Sequence, residues 1–248
     1  MDRGRISLIA HAAHPIAAPV GDDAVRRLLG AVVRTGNETL LDLGCGRGEW
    51  LIRALAQHPA VHAVGVDRSG DALKAAASAA ERAGVTGRLE LHEADAASYQ
   101  STRTYDVVLC IAATHAFGGL AETLAAARTH LNPGGLLLLG EGMWEGEPTP
   151  AALETLGPLP QPAQLVDQVV TAGWTPLTGH FSTREELDAY EWAWTGSLAG
   201  WALEAADTGD SAEALSIAAD HRHEWLHGYR DHFGFGCLVV HARGVHRG

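Results

Sequence analysis

A glycine-rich turn in the stretch LDLGCGRGEW contains the first residues whose types and spacing suit chemistry. Asp42 precedes Gly44, Gly46 and Gly48, which alternate with other residues before a helical pattern begins. Glycines in such a turn let the backbone bend sharply and approach a bound ligand closely. Dinucleotide sites instead carry the spacing Gly-x-Gly-x-x-Gly, whereas position 49 here is Glu. The turn therefore predicts a ligand site that is not built around a pyrophosphate.

Acidic residues at the ends of the next two apolar runs extend this candidate site. Asp67 ends the second run, about 20 residues beyond the turn, where a carboxylate can accept hydrogen bonds from both ribose hydroxyls of a nucleoside. Glu93 and Asp95 end the third run and supply a second acid, which can recognise an adenine amino group. Together with the turn, these acids predict a ligand that contains a nucleoside.

A second candidate motif is HEWLH, which matches the His-Glu-x-x-His signature of zinc metalloproteases. On a helix, His223 and His227 share one face, and Glu224 can act as general base on a metal-bound water. However, no Glu follows residue 224, and the extended Gly-x-x-His continuation is absent. The remaining candidates for a third ligand are Asp231, His232, His241 and His246. We therefore predict a solvated helix face, on which His221, His223 and His227 bind metal only adventitiously.

The elements that position these residues follow from the apolar pattern between residues 38 and 141. The β-type runs are TLLDLG, VHAVGVD, RLELHEAD, YDVVLCIA and GGLLLLGEG, and helices are predicted at 48–57, 70–83 and 119–130. Continuous apolar runs that alternate with helices indicate a parallel sheet covered on both faces, which is a doubly wound α/β core. Ligands bind beyond the carboxyl ends of the strands in such sheets, where the glycine turn and the two acids lie.

The pattern changes after residue 141. Five prolines punctuate residues 148–162, and a connection of this length predicts a lid. A helix near 162–172 and a strand near 174–181 resume the alternation. Ser182 and Glu185 then predict a capping box that opens a helix rich in aromatic residues. A second helix, at about 211–232, carries HEWLH and leads into the β run FGFGCLVVHA.

Composition limits the class of protein. The chain has 248 residues, 46% of them hydrophobic, and can form one large domain. Its formal net charge of −12 argues against a nucleic-acid partner, because a phosphate backbone requires a basic surface. Three widely spaced cysteines predict neither a disulfide framework nor a thiolate zinc site and suit a reducing cytoplasm. The first apolar run is too short for a signal peptide or a membrane span, so we expect a cytoplasmic protein without a membrane partner.

In this order and at these spacings, LDLGCGRGEW, the strand-ending Asp67, EADA and LNPGGLLLLGEG resemble the class I S-adenosylmethionine-dependent methyltransferases. The resemblance covers residues 38–141 and the carboxyl-terminal strand, and places Pro133 and Gly134 at the turn into strand five. It implies a seven-stranded, Rossmann-like sheet whose last strand is antiparallel, with an amino-terminal helical flap and a helical insertion before that strand. ATHAFGG, GEGMWE, DAYEW and GYRDHFGFG further resemble a group of bacterial methyltransferases.

We accordingly expect a single domain over residues 1–248. Its parts are an amino-terminal cap (1–37), a cofactor-binding core (38–141), lid and acceptor-pocket elements with strand six (142–232), and the last strand and tail (233–248). The resemblance implies S-adenosylmethionine as cofactor and S-adenosylhomocysteine as product. The residues that it assigns to the cofactor are Asp42, Gly44, Cys45, Gly46, Asp67, Arg68, Asp95, Ala96 and Ile111. Among them, Asp42 would orient the amino group, Asp67 would hold the ribose and Ile111 would close the site.

The acceptor residues are expected largely outside the core. After strand four the chain reads CIAATHAFGG, which lacks the Asn/Asp-Pro-Pro-Tyr pattern of enzymes that methylate amino groups of nucleic acids and protein glutamines. Cys110 also lacks the context of a cytosine C5 nucleophile, and both points favour a small-molecule acceptor. His115 lies on the loop that would face the sulfonium and can accept a proton, although a cap or loop hydrogen bond is the alternative. The expected acceptor residues are His11, His14, Glu141, Trp144, Tyr190 and Trp194.

We therefore predict an enzyme that transfers a methyl group from S-adenosylmethionine to a small molecule, through an N, O, S or C nucleophile. Ordinary core packing explains the aromatic side chains of the insertion equally well. A non-catalytic S-adenosylmethionine-binding sensor or partner protein is the alternative from another class, and a zinc metalloprotease is a remote one. We expect no metal, no nucleic acid and no membrane partner, and the sequence predicts no oligomeric state.

Overall fold

The protein is described by a computed structural model over residues 1–205 and 209–243, apart from the side chain of Arg3. The candidate zinc ligand His246 and the end of the predicted tail, residues 244–248, lie outside the described residues. Within the described ranges, the core alternates strands and helices as the apolar pattern predicts.

The strands are β1 (Thr39–Leu43), β2 (His62–Asp67), β3 (Leu89–Glu93), β4 (Tyr105–Ile111), β5 (Leu131–Trp144), β6 (Trp174–Phe181) and β7 (Phe233–Ala242). The helices are α1 (Arg3–Ala10), α2 (Asp22–Val32), α3 (Glu49–Gln57), α4 (Gly70–Arg82), α5 (Leu120–His130), α6 (Pro150–Leu156), α7 (Pro162–Thr171), α8 (Arg184–Glu204) and α9 (Gly209–Glu224). A π-helical segment, Trp225–Tyr229, continues α9.

The strands form one seven-stranded sheet in the order β3-β2-β1-β4-β5-β7-β6. β1 pairs in parallel with both β2 and β4, and β3 and β5 extend the parallel part on either side. β7 runs antiparallel to β6. This is the Rossmann-like arrangement with an antiparallel last strand and a helical insertion before it, which confirms the predicted fold class.

Burial of both faces explains why the central strands carry continuous apolar runs. Leu40, Leu41 and Leu43 of β1 and the run from Val107 to Cys110 in β4 are almost completely buried. α3 contributes Trp50, Leu51 and Leu55 to the buried side chains. A central strand of a parallel sheet has helices on both faces, so neither set of alternating side chains reaches water. The packed core therefore fixes the positions of the carboxyl ends of β1, β2 and β4.

The chain divides into two compact units. Unit 1 contains residues 1–21, 142–162 and 182–235, and unit 2 contains residues 22–141, 163–181 and the residues from 236 onward. The predicted cofactor core, residues 38–141, lies wholly in unit 2. The predicted amino-terminal cap is split, because α1 belongs to unit 1 whereas α2 belongs to unit 2.

Unit 1 has a core of its own, built largely from α1, α8 and α9. Its buried residues include Leu198 and Ala202 of α8 and Ala214 and Ala218 of α9, against which Ile6 and Ile9 of α1 and other partly buried side chains pack. At the surface, Arg5 of α1 pairs with Asp210 of α9 at 2.7 Å, and the amino terminus pairs with Glu213. These contacts give the amino-terminal helix a fixed place in the unit.

The predicted capping box of α8 is wrong by one residue. Thr183, rather than Ser182, is the N-cap: its hydroxyl accepts from the Glu186 backbone N–H at 3.2 Å, and the Glu186 carboxylate accepts from the Thr183 backbone N–H at 2.7 Å. The Ser182 N–H instead donates to the Phe235 carbonyl at 2.8 Å. Because that bond keeps Ser182 in the extended chain, the helix begins one position later and Glu185 takes no part in the box.

Two other segments contain structure that the sequence did not predict. The proline-rich segment predicted as a lid contains a helix, α6, whose N-cap Thr149 accepts from the Ala152 backbone N–H. Pro133 and Gly134 lie within β5, at an irregularity in its pairing with β4. In residues 1–205 and 209–243, we find no helix with the length and hydrophobicity needed to cross a bilayer.

Candidate active site

The glycine turn after β1 adopts backbone angles that favour glycine. Gly44, Gly46 and Gly48 have φ values of 88°, 51° and 70°, all in the left-handed region. A Cβ on Gly44 would lie 2.5 Å from the Ala113 Cβ, so no larger residue fits there. A Cβ on Gly46 would meet no described atom within 4 Å. The turn is thus packed against the end of β4 on one side and open above Gly46.

Backbone hydrogen bonds tie this turn to β2 and to Asp67. The N–H groups of Gly44 and Cys45 both donate to the Val66 carbonyl, at 2.9 and 3.0 Å. The two carboxylate oxygens of Asp67 accept from the N–H groups of Gly46 and Ser69, each at 2.8 Å. Each oxygen keeps a further lone pair, so the fixed carboxylate can still accept from a ligand.

Asp42 is the most perturbed acid of the site. Its residue is 2% exposed, and its Oδ1 has no hydrogen-bond partner among the described residues. Burial, followed by the negative charge of Asp67, raises the pKa of Asp42 from 3.8 to about 7. Burial also raises the pKa of the neighbouring Cys45 thiol far above its usual range, so that thiol is neutral. A buried carboxyl oxygen without a donor is costly and indicates a missing partner.

The ends of β3 and β4 complete the set of predicted cofactor residues. Asp95 follows β3 and accepts through Oδ1 from the Ala97 N–H at 2.8 Å, with Ala96 buried beside it. Ile111 is buried at the end of β4, and the next residue, Ala112, has a φ of 54°. A non-glycine residue in this region is unusual and marks a tightly constrained loop. Arg68 is exposed.

His115 lies on a short 3-10 helix, Thr114–Phe117, just after β4. Its residue is exposed, and among the described residues its imidazole makes no hydrogen bond, so the alternative interpretation as a capping side chain gains no support. The Thr123 hydroxyl of α5 lies 3.5 Å from the carbonyl oxygen of Thr114, the first residue of this helix. The loop therefore holds an imidazole at the same edge of the sheet as the glycine turn.

Comparison with known proteins agrees with this geometry. A family described as "Methyltransferase domain" matches residues 41–137. The uncharacterized protein YjhP of Escherichia coli (strain K12) is 30% identical over an alignment of 254 residues, gaps included. The alignment covers 98% of this chain and 100% of YjhP. A SAM-dependent methyltransferase from Geobacter sulfurreducens, solved with S-adenosyl-L-homocysteine, matches with a TM-score of 0.89 and 25% identity over 96% of this chain and 98% of its own.

The chain belongs to the class I S-adenosylmethionine-dependent methyltransferases. A second such enzyme, from Thiobacillus denitrificans and also solved with S-adenosyl-L-homocysteine, matches this methyltransferase with a TM-score of 0.88 and 26% identity. That match covers 98% of this chain and 100% of the other. The predicted family, fold, enzyme class and cofactor are thereby confirmed.

The residues of this methyltransferase fit its cofactor. The orphaned Asp42 Oδ1 suits an ammonium group or an ordered water next to it. The fixed Asp67 carboxylate suits a ribose diol, and the open space above Gly46 admits a ligand close to the backbone. S-adenosylmethionine supplies an electrophilic methyl group on a sulfonium sulfur. The chain's own residues have to bind that cofactor and orient the acceptor.

Three of the predicted acceptor residues meet in unit 1. Nε2 of His11 lies 3.0 Å from the Tyr190 hydroxyl oxygen, and its Nδ1 lies 2.8 Å from the Ser7 carbonyl oxygen. The ring of His14 packs edge-on against Tyr190, with centroids 5.5 Å apart. Burial, with the charge of Glu191, raises the pKa of Tyr190 above its usual range, so its hydroxyl stays protonated. The amino-terminal segment and α8 thus form one polar cluster.

The other predicted acceptor residues are not gathered there. Trp144 is buried in a hydrophobic cluster with Ala152, Trp225 and Tyr229, and its Nε1 donates to the Gly157 carbonyl. This environment is that of a core residue. Glu141 belongs to unit 2, at the end of the part of β5 that lies there.

A polar cluster that the sequence analysis missed lies around Glu191. This residue of α8 is 6% exposed, and its carboxylate meets Nε2 of His221 at 2.7 Å and the Tyr229 hydroxyl at 2.9 Å. Trp194 stacks on the His221 ring with centroids 4.0 Å apart. For His221, the predicted solvated face is therefore wrong, because Glu191 and Trp194 of α8 cover it. The only sequence signal was an acid within the aromatic stretch DAYEWAW.

His223 and His227 of HEWLH are exposed, and their ring centroids lie 4.5 Å apart. Within residues 1–205 and 209–243, no group of three or more His, Cys, Asp or Glu side chains is arranged to hold a metal ion. For these two residues, the prediction of a solvated helix face agrees with the structure. That the enzyme needs no metal stays a prediction.

Proposed function

We propose that this methyltransferase acts on a small-molecule acceptor. The observation that carries the proposal is the loop after β4, where the methylating enzymes of nucleic acids and protein glutamines have Asn/Asp-Pro-Pro-Tyr. Here the loop reads AATHAFGG and forms a 3-10 helix that presents His115. The net charge of −12 adds support, since it disfavours a nucleic-acid substrate.

Relatives that match about half of this chain act on different acceptor classes, as their names state. A 27-O-demethylrifamycin SV methyltransferase of Amycolatopsis mediterranei is 33% identical over 129 residues, which are 52% of this chain. A ribosomal protein L11 methyltransferase of Xanthomonas axonopodis is 38% identical over 109 residues, or 44% of this chain. Similarity to these relatives therefore supports methyl transfer but no particular class of acceptor. The loop after β4 is what supports a small-molecule acceptor.

The proposed cofactor residues have separate tasks. Gly44, Cys45 and Gly46 bring the backbone close to the methionine portion, and Asp42 orients its amino group. Asp67 holds the ribose hydroxyls. Around the adenine, we assign Arg68, Asp95 and Ala96, and Ile111 closes the site. Holding the reactants in line lowers the barrier, because positioning alone can supply about 7–11 kcal/mol.

The acceptor is proposed to meet His115, whose imidazole takes up the proton that an O–H or N–H nucleophile loses. Among the residues of unit 1, we propose His11, His14 and Tyr190 for contacts with the acceptor. Trp194, which stacks on the His221 ring, is proposed with them, whereas Trp144 is buried in a hydrophobic cluster. Glu141 is a further polar candidate.

Cofactor assignment is tested with glycine variants that carry the same backbone strain. Gly46 and Gly84 both have a left-handed φ, and an added Cβ meets no described atom within 4 Å at either position. Gly46→Ala and Gly84→Ala should therefore lose similar stability. Only Gly46→Ala should weaken S-adenosylhomocysteine binding in calorimetry, because its methyl group occupies the ligand's approach. Equal affinities for the two variants would refute the assignment.

Asp67→Ala tests the ribose contact in the same calorimeter. Hydrogen bonds to a charged group are worth about 1.5–3 kcal/mol, so losing one or both should weaken binding by roughly 10-fold or more. An unchanged dissociation constant would remove Asp67 from the site.

The acceptor class is tested by incubating the enzyme with methyl-labelled S-adenosylmethionine and a cell extract separated by dialysis. Label should enter the dialysable fraction and should not enter retained protein or nucleic acid. Gly46→Ala is the matched blank for non-enzymatic transfer. Label found in retained macromolecules alone would contradict a small-molecule acceptor.

A further inference from the structure

The water-facing side of α8, in unit 1, carries an apolar stripe with heptad spacing. Ala189, Trp192, Gly196, Ala199 and Leu203 follow one another at intervals of three, four, three and four residues. Residues with this spacing lie along one face of a helix. Four of the five are exposed, and Ala199 is half-buried. A seam of this kind is typical of a helix that packs against a second helix.

The large side chains of this α8 stripe are unusually exposed for apolar residues. Leu203 is 76% exposed and Trp192 is 54% exposed, the two highest values among the large hydrophobic residues of the described ranges. Single exposed apolar residues are common on protein surfaces, whereas a row of them marks an interaction surface. The Trp192 ring also packs edge-on against the buried Trp225, with centroids 5.2 Å apart, so association would not need to order it.

The stripe also contains a recess that the fold of a single chain does not require. An added Cβ on Gly196, or on Gly200 one turn further along α8, would meet no described atom within 4 Å. Neither glycine has a φ in the left-handed region. Glycine is less favourable than alanine inside a helix, so local structure gives no reason for either residue. A second helix can approach closely where the side chain is absent, as it does at other helix contacts lined by small residues.

Charge is almost absent from this part of α8. Between residues 189 and 203 the helix carries one charged residue, Glu191, whose carboxylate is buried against His221 and Tyr229. The whole chain has 19% charged residues and a net charge of −12, so two copies repel each other where their acidic surfaces meet. An uncharged helix face lets two copies approach without bringing like charges together.

We propose that α8 packs antiparallel against α8 of a second copy, in a register that sets Gly196 of each copy against Ala199 of the other. A two-fold axis that relates residue 196 to residue 199 also relates Trp192 to Leu203, because the stripe is evenly spaced about its centre. The large side chains then close both ends of the contact, and the small residues let the backbones approach in the middle. A second copy is the occupant because one face supplies both the protruding and the recessed parts.

The size of the stripe predicts a weak dimer. Residues 189–203 of α8 span about 22 Å at the rise of an α-helix. One pair of helices of this length covers less than the roughly 800 Å² per partner of a standard interface. We therefore expect a dissociation constant on the order of 1–100 μM. The proposal concerns a surface of unit 1 and does not rest on the proposed methyl acceptor.

Sedimentation equilibrium over a concentration series that spans this range tests the association. The wild type should pass from monomer to dimer, and Leu203→Glu should raise the dissociation constant at least about 10-fold, because it places a charge opposite an apolar ring. Leu177→Glu is the matched control, since it adds the same charge at a leucine of β6 that is 53% exposed, and it should associate as wild type does. A wild type that stays monomeric throughout would overturn the proposal, as would a dimer that Leu177→Glu dissociates and Leu203→Glu leaves intact.

Gly196→Gln separates association from folding. Glutamine favours the helix more than glycine does, so urea unfolding of the dilute monomer should need at least as much denaturant as for wild type. The longer side chain fills the recess and should nevertheless raise the dissociation constant at least about 10-fold. If Gly196→Gln associates as tightly as wild type, the close helix contact is wrong.

A charge pair tests the antiparallel register. Trp192→Glu alone and Leu203→Lys alone should each weaken the dimer. Combined in one chain, they should associate more tightly than either single variant, because the introduced acid of one copy then meets the introduced base of the other at both ends. In a parallel pair the two acids would meet each other, and so would the two bases. Failure of the combined variant to recover association would therefore overturn the antiparallel arrangement.

Discussion

Asp42 holds a proton that cofactor binding should displace. Its pKa lies near 7 because it is buried and close to Asp67, and its Oδ1 has no donor in the described chain. A cationic amino group beside that oxygen would favour the ionised form and lower the pKa. Binding of S-adenosylhomocysteine at pH 7 should therefore release part of a proton. Calorimetry in two buffers of different ionisation enthalpy should give different heats for wild type and equal heats for Asp42→Asn.

The same pKa shift has a consequence for the stability of the ligand-free enzyme. A carboxyl group whose folded pKa is raised gives stability that is fully present below its ordinary value of 3.8 and lost as the pH rises through about 7. Asp42→Asn carries no charge and should lack this loss. Urea unfolding at pH 5 and pH 8 should thus show a larger fall for wild type. A parallel fall in both proteins would contradict the assigned shift.

His115 gives a prediction about rate. If the acceptor loses a proton during transfer, His115→Ala should lower kcat by about 10²- to 10⁴-fold, the usual contribution of general base catalysis. Affinity for S-adenosylhomocysteine should stay near wild type. His62, exposed at the start of β2, is the matched control, and His62→Ala should leave kcat unchanged. An unchanged kcat in His115→Ala, with an unchanged acidic limb of the pH–rate profile, would leave positioning as the whole of catalysis.

Among single residues, the sequence predicted those whose role follows from the local backbone conformation. Gly44 and Gly46 were recognisable because their spacing after an apolar strand reports the turn directly. Glu191 and His221 were not, because 30 positions separate them and their contact depends on how two helices pack. The hydrophobic periodicity of α8 does not predict which of its faces places a carboxylate against α9.

Among the elements, the start of α8 offers a test of two adjacent residues. Thr183→Ala removes the cap and should cost about 0.5–2 kcal/mol of unfolding free energy. Ser182→Ala should cost little, because the buried Ser182 Oγ has no hydrogen-bond partner within the described ranges. Urea denaturation at neutral pH measures both. A larger loss for Ser182→Ala would restore the cap position that the sequence pattern suggested.

Helices and strands with strong periodicity were predicted almost to the residue. α4 was expected at 70–83 and spans Gly70–Arg82, with Ser69 as its N-cap. Boundaries that depend on tertiary hydrogen bonds were missed. The bond from Ser182 to Phe235 moves the start of α8, and the change to a π-helix at Trp225 has no signal in the sequence.

For the whole molecule, the net charge of −12 predicts how salt affects the cofactor pair. S-adenosylmethionine carries a positive sulfonium that S-adenosylhomocysteine lacks, and the site is negative through Asp67 and through Asp42 in its ionised form. Screening weakens attraction between opposite charges, so rising salt should weaken S-adenosylmethionine binding more than S-adenosylhomocysteine binding. Calorimetric titrations at low and high sodium chloride measure the difference. Equal salt dependence for both ligands would show that the charge of the protein has no part in selecting the cofactor.

The alternation of strands and helices was enough to predict the α/β class, since each unit of that pattern is local. The same pattern could not predict the division into two units, because each unit is assembled from segments that are far apart in the sequence. The chain passes between the units after residues 21, 141, 162, 181 and 235. The last four of these positions lie near the boundary of a predicted part or the end of a predicted element. The first, residue 21, falls in the middle of the predicted amino-terminal cap.

β7 reaches the sheet last during synthesis on the ribosome. In the sheet order it lies between β5 and β6, and β6, at the edge, has no other strand neighbour within the described chain. About 50 residues separate the two strands, which takes a ribosome on the order of seconds to translate. Throughout that interval β6 is an unpaired strand that carries Leu177 and Phe181, both exposed even in the finished fold. The nascent chain therefore passes through a stage in which aggregation or chaperone binding competes with completion of the sheet.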